Sequence, residues 1–79
     1  MEIPEEALEF KLFMEKARTA GSKSKKEVAV DLGVEPPVYS HWISENTSFT
    51  MPGHLIRRFT SIVGNRILAD YVAGAQVQP

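Results

Sequence analysis

"EVAVDLGVEPPVYSHW", residues 27–42, is the stretch on which the fold turns. Val28, Ala29 and Leu32 recur at the spacing of one face of a helix. Upstream, Ser24 and Glu27 have the spacing of a capping box, in which each side chain takes a backbone N–H of the other residue. Gly33 then ends the helix as a residue comfortable at positive φ. Beyond it, Val38, Tyr39, Trp42 and Ile43 form a second apolar stripe, on a helix from about Pro37 to Ser44. Ala29 is small enough to let that second helix cross the first closely. Two helices around a tight glycine turn make a helix-turn-helix arrangement.

The two prolines shape the start of the second helix. The first N–H groups of any helix lack an intrahelical partner, so proline there sacrifices little. A residue followed by proline is disfavoured in helical geometry. The helix is therefore expected to begin at Pro37, with Glu35-Pro36 as a rigid extended turn. Proline carries no N–H, which removes donors from the helix tip.

Outward from this core the sequence reads as helix almost throughout. Phe10, Phe13, Met14 and Ala17 lie at i, i+3, i+4 and i+7, beside Leu8 and Leu12, with Pro4 in the first turn and Gly21 as the stop. "SENTSFT" (44–50) is polar and loop-like. A fourth helix is expected over about 52–63, with Leu55, Ile56, Phe59, Ile62 and Val63 inward. Gly64 closes it and Asn65 caps the next. A fifth, from Arg66 to about Ala73, turns Ile67, Leu68, Tyr71 and Val72 inward and leaves "GAQVQP" frayed. The sum is an all-α domain of five short helices spanning residues 1–79, its motif at about 24–44.

Composition narrows the chemistry. The chain has 79 residues and no cysteine, so it has neither disulfides nor thiolate metal ligands. His41 and His54 alone make a poor metal site. No phosphate-cradling glycine loop and no spaced nucleophile–base pair is present, so neither catalysis nor a cofactor is expected. Neither a membrane span, which needs about 18 apolar residues or more, nor a basic-then-apolar leader is visible. The formal net charge is −1. The bases nevertheless gather in two knots, Lys23/Lys25/Lys26 and Arg57/Arg58. Local fields of this kind steer towards phosphate more than the total charge does.

"KKEVAVDLGVEPPVYSHWI" (25–43) resembles the helix-turn-helix of phage Cro/CI-type regulators, with Tyr39-Ser40-His41-Trp42 in the place of the run that closes their motif. Downstream, "MPGHLIRRFTSIVGNRILADYVAGA" (51–75) is similar to the phage regulatory protein CII family. The resemblance covers about residues 22–75. It implies a five-helix, lambda-repressor-like helix-turn-helix domain. It further implies a cytoplasmic, nucleoid-associated transcription regulator of phage or prophage origin that binds double-stranded operator DNA as a dimer or higher oligomer, with RNA polymerase as a further contact. On this resemblance Lys25 and Lys26, with Lys23 beside them, match the start of the first motif helix, which abuts the phosphate backbone. Glu35, Pro36, Pro37, Ser40, His41 and Ser44 match the outward positions of the recognition helix. The family's hydrogen-bonding residues are replaced by Glu35-Pro36-Pro37, so base reading is expected to begin at Ser40 and His41, with Ser44 following and Pro37 against a thymine methyl. Apart from the resemblance, Arg57 and Arg58 lie on the outer part of the fourth helix, and Arg57 is the one expected as a further phosphate contact.

Plainer roles compete with each of these. Trp42 is expected in the core, and Tyr39 there too with its hydroxyl at the edge. The lysines also fit a solvated helix start, and the acidic first helix a solvated face. Leu8, Leu12 and Phe13, with the apolar row of the last helix, are candidates for a dimer seam. The near-neutral charge and the Glu-Pro-Pro tip also fit a second reading. In it the scaffold is a protein-interaction module, an antirepressor or a repressor- or polymerase-binding regulator, with no DNA site of its own.

Overall fold

The computed structural model describes residues 3–76. Each helix has a local cause. Helix α1, Glu5–Ala20, starts behind Pro4, and Glu5 and Glu6 in its first turn oppose the positive end of the helix dipole. It ends at Gly21, which itself has an ordinary right-handed conformation; Ser22 takes the left-handed one, at φ 57°. Gly21 is required for a different reason. A Cβ there would overlap the backbone carbonyl of Val63, so glycine is what lets two helix ends meet.

Helix α2, Lys25–Leu32, carries the expected capping box. Glu27 N–H donates to Ser24 Oγ at 3.0 Å and Ser24 N–H donates to Glu27 Oε1 at 3.1 Å. Gly33 adopts φ 81°, and the Gly33 and Val34 N–H groups close onto the Val30 and Ala29 carbonyls.

Helix α3 is Pro36–Ile43, one residue longer at its start than expected. Glu35 is the extended residue before it, and the prolines occupy the first two helical positions. Both positions have N–H groups that a helix cannot use, so both prolines fit, and Val38 and Tyr39 supply the first donors, to the Glu35 carbonyl. Val38 is also corrected. Tyr39 is fully buried and sets the inward direction, which leaves Val38 on the outer side at 40% exposure.

The expected fourth helix divides. Gly53–Leu55 is a 3₁₀ turn closed by Leu55 N–H on the Pro52 carbonyl, and α4 proper is Ile56–Val63. Gly64 turns at φ 74°, and Asn65 Oδ1 accepts from Ile67 N–H to cap α5, Ile67–Gln76. The frayed end expected after Ala73 is helical as far as Gln76; residues 77–79 lie outside the described residues. Gly74 weakens a helix interior by about 1 kcal/mol but does not stop it.

The architecture is all-α, with five helices and no strand among the described residues. No described helix is long and apolar enough to cross a membrane. Helix α1 lies along α5, while α2 packs on both α3 and α4. Met14, Ala17, Val28, Ala29, Leu32, Tyr39, Phe59, Val63 and Leu68 fill the centre, joined by Met51 from the long connection. Ala29 is fully buried, as a close helix crossing demands. Phe13 stacks on Tyr71, centroids 4.4 Å apart and planes 11° from parallel, with the Lys16 ammonium 4.8 Å from the Phe13 ring centre. Phe13 and the inner row of α5 are thus spent inside the chain, and only Leu8 and Leu12 of the expected seam remain exposed.

Candidate nucleic-acid interface

Helix periodicity places the outer residues of α3 together. Pro37, Ser40, His41 and Ser44 fall at i, i+3, i+4 and i+7, on the face opposite Tyr39. Pro37, Ser40 and His41 are exposed, while Ser44 is half-buried and its Oγ accepts from Asn46 N–H at 3.2 Å. Ser44 therefore holds the following loop as well as bordering the face. Val38 joins the face, and so does a residue that periodicity does not reveal. Phe49, from the connection after α3, sets its ring 5.1 Å from the His41 imidazole and is 64% exposed.

Lys25 and Lys26 are exposed at the start of α2, and Lys23 is half-buried just before it. Among the described residues none of the three is in an ion pair; the pairs are Arg18–Glu15 and Arg66–Asp70. Arg57 and Arg58 are likewise exposed and unpaired on α4. Helix α3 makes its main contacts with α1 and α2 rather than α4, so Arg57 is not drawn onto the α3 face by packing.

A polar row on α1 ties the lysine knot to α3. Glu15 and Arg18 form a two-pronged ion pair at 2.8 and 2.9 Å. Arg18 Nη1 also donates to the Lys23 carbonyl at 2.8 Å, and the Tyr39 hydroxyl donates to Glu15 Oε2 at 3.2 Å. Burial alone would raise the Glu15 pKa. The hydrogen bond and charge of Arg18, the Tyr39 hydroxyl and the Lys25 charge outweigh it and hold the carboxyl below its usual range. Burial first, and the Glu15 charge second, push the Tyr39 phenol far up, so it stays a donor.

The sign of the Glu15 shift sets a pH dependence. Folding lowers this pKa from 4.5, so the stabilisation is complete above that value and is lost as pH falls through the folded one. Glu15→Gln is expected to be less stable than the parent at neutral pH and to converge with it once acidification has protonated the carboxyl. Urea titrations of both proteins at neutral pH and after that protonation check this. An equal gap at both would rule out the ionised carboxylate as the cause.

Lys11 is, with Phe49, a residue that sequence reasoning missed. It is only 2% exposed, in a helix whose other charges mostly face water. Its ammonium donates to the Trp42 carbonyl at 2.7 Å, to the Phe49 carbonyl, and to Thr47 Oγ1 at 3.4 Å. Three donors thus meet three neutral oxygens. Trp42 lies in the last turn of α3, where the carbonyls lack intrahelical partners and the dipole is negative, so a cation is favoured. Burial lowers the Lys11 pKa from the ordinary lysine value. Thr47 Oγ1 in turn donates to the His41 carbonyl at 3.1 Å. Lys11 therefore fixes the end of α3 and the loop that presents Phe49. The available signal was its register: Lys11, Glu15 and Arg18 fall at i, i+4 and i+7, a polar row bordering the apolar one.

Trp42, expected in the core, is half-buried at its edge, whereas Tyr39 is fully buried. His41 and His54 are both exposed, and no group of three or more His, Asp or Glu side chains among the described residues is placed to hold a metal. No family model matches the chain, and no curated protein or solved structure matches it significantly.

Proposed function

We propose that the protein is a small sequence-specific DNA-binding transcription regulator of phage or prophage type, with α2–Gly33–α3 as a lambda-repressor-like helix-turn-helix. The observation that carries this reading is the division of labour across the pair. Val28, Ala29, Leu32 and Tyr39 are buried between the helices, while Pro37, Ser40 and His41 point outward and unpaired Lys25 and Lys26 stand at the start of α2. In this reading α3 enters the major groove and the lysines hold the phosphate backbone. The Glu15–Arg18–Tyr39 network sets the distance between the two. One copy contacts few phosphates, so two copies on a symmetric site supply the affinity.

A second reading is supported by the exposed Phe49, Val38 and Val30, since apolar surface of this kind also suits a protein partner. Lys25→Glu/Lys26→Glu separates the two. On the first reading the double variant loses affinity for duplex DNA on the order of tenfold or more, and the slope of log affinity against log salt falls by about 2. Fluorescence anisotropy with a pool of random duplexes, from about 50 mM salt upward, measures both. No binding by the folded parent at low salt would sink the DNA reading.

A further inference from the structure

We infer that the outer face of α3 reads thymine methyl groups, with Phe49 and Val38 as the contacts that set specificity. The inference rests on the DNA-binding reading above and adds the chemistry by which a site is chosen.

The face lacks the side chains that usually read bases. From Pro36 to Ser44 there is no arginine, lysine, asparagine or glutamine. The two-pronged contacts to guanine and adenine edges are therefore unavailable to it. Two hydroxyls, one imidazole and apolar carbon remain. Glu35, ahead of the first turn, and Glu45, directly after Ser44, are the acidic groups that flank them.

The apolar carbon is held in place. Phe49 is 64% exposed and Val38 40%. His41 lies one turn on from Val38, and the Phe49 ring packs against His41 at 5.1 Å, so His41 borders both apolar side chains and the three together make up the row. Lys11 grips the Phe49 carbonyl from inside the protein, and Thr47 ties the same loop to the His41 carbonyl. An aromatic ring fixed in water by a buried ammonium forgoes burial of its surface, and a ligand able to cover it regains that free energy.

The ligand follows from charge. The lysines that suit phosphate stand at the start of α2, and the row on α3 contains no lysine, arginine, aspartate or glutamate. A duplex offers the matching division, with charge on its backbone and one apolar group on its major-groove base edges, the thymine C5-methyl. Ser40 and His41 beside the row then supply hydrogen bonds to neighbouring acceptors.

The test uses the full chain. Sites are first selected from random duplex DNA, and thymine enrichment is expected. Each thymine of the best site is then replaced by deoxyuridine, which deletes the methyl and keeps every hydrogen-bonding group. Affinity of the parent protein should fall about fourfold for each contacted methyl. Phe49→Ala and Val38→Ala, both at exposed positions and checked for helicity, should each erase the thymine–deoxyuridine difference at one position while leaving the salt dependence unchanged. Tight, site-selective binding that ignores the methyl groups overturns this inference and leaves the DNA-binding reading standing. A methyl effect that survives in both variants also overturns it. Absence of DNA binding at low salt removes both.

Discussion

Gly21→Ala should be among the most destabilising single-methyl changes this chain can suffer, at about 3 kcal/mol or more. The added Cβ would meet the backbone carbonyl of Val63, and backbone at a helix end cannot swing aside as a side-chain tip can. The junction is further pinned by Asn65, whose Nδ2 donates to the Ala17 carbonyl at 3.0 Å and lies 3.4 Å from that of Val63. Relief of the overlap therefore means parting the ends of α1 and α4, between which Met14, Ala17, Phe59 and Val63 are packed. Native domains are commonly stable by only about 5–15 kcal/mol, so the loss is a large share. Gly33→Ala is the control. Gly33 sits at φ 81° with nothing within 4 Å of an added Cβ, so alanine there meets only the left-handed backbone penalty of about 1–2 kcal/mol. Guanidinium denaturation of both variants checks the order. Equal losses would show that the helix ends separate freely.

Lys11→Met is expected to lose about 2–4 kcal/mol, set by the 1–3 kcal/mol typical of each buried polar group left without a partner. Methionine keeps the apolar stem and fills nearly the same space, but the Trp42 and Phe49 carbonyls lose their donor. Relief from burying an ammonium offsets part of the loss, as the lowered pKa of Lys11 implies. The effect should also be local. Amide exchange at residues 44–50 should accelerate more than in α4 or α5, because the lysine anchors that loop and not those helices. Unchanged denaturation together with unchanged exchange would show that solvent replaces the ammonium without penalty.

These two residues mark where the sequence stops being legible. Gly21 reads as a helix stop, which it is, yet its necessity comes from Val63, far along the chain. Lys11 reads as one more charge on a solvated face, and burial depends on which oxygens α3 and its loop bring to that spot. Phe13 was available for a second copy until Tyr71 covered it. Val38 reads as inward because apolar residues sit at 38, 39, 42 and 43, and periodicity alone does not say which edge of so wide a stripe faces in. The candidate interface divides in the same way. The α3 positions and the lysines follow from helical spacing and the turn, whereas Phe49 joins them only because the long connection folds back across the end of α3.

By itself the sequence determined whatever depends on neighbours within one turn. The capping box of Ser24 and Glu27, the left-handed Gly33 and Gly64, the Asn65 cap and the helical register all follow from contacts a few residues apart, which any fold of this chain must satisfy. The tertiary structure decided which faces are spent and which remain. It closed α5 onto α1, sank Lys11 beneath the end of α3, and left Val38 and Phe49 in water. Those outcomes depend on pairs 30 or more residues apart, such as Lys11 with Trp42 and Asn65 with Ala17. Their geometry is set by the simultaneous packing of all five helices, which no local pattern encodes.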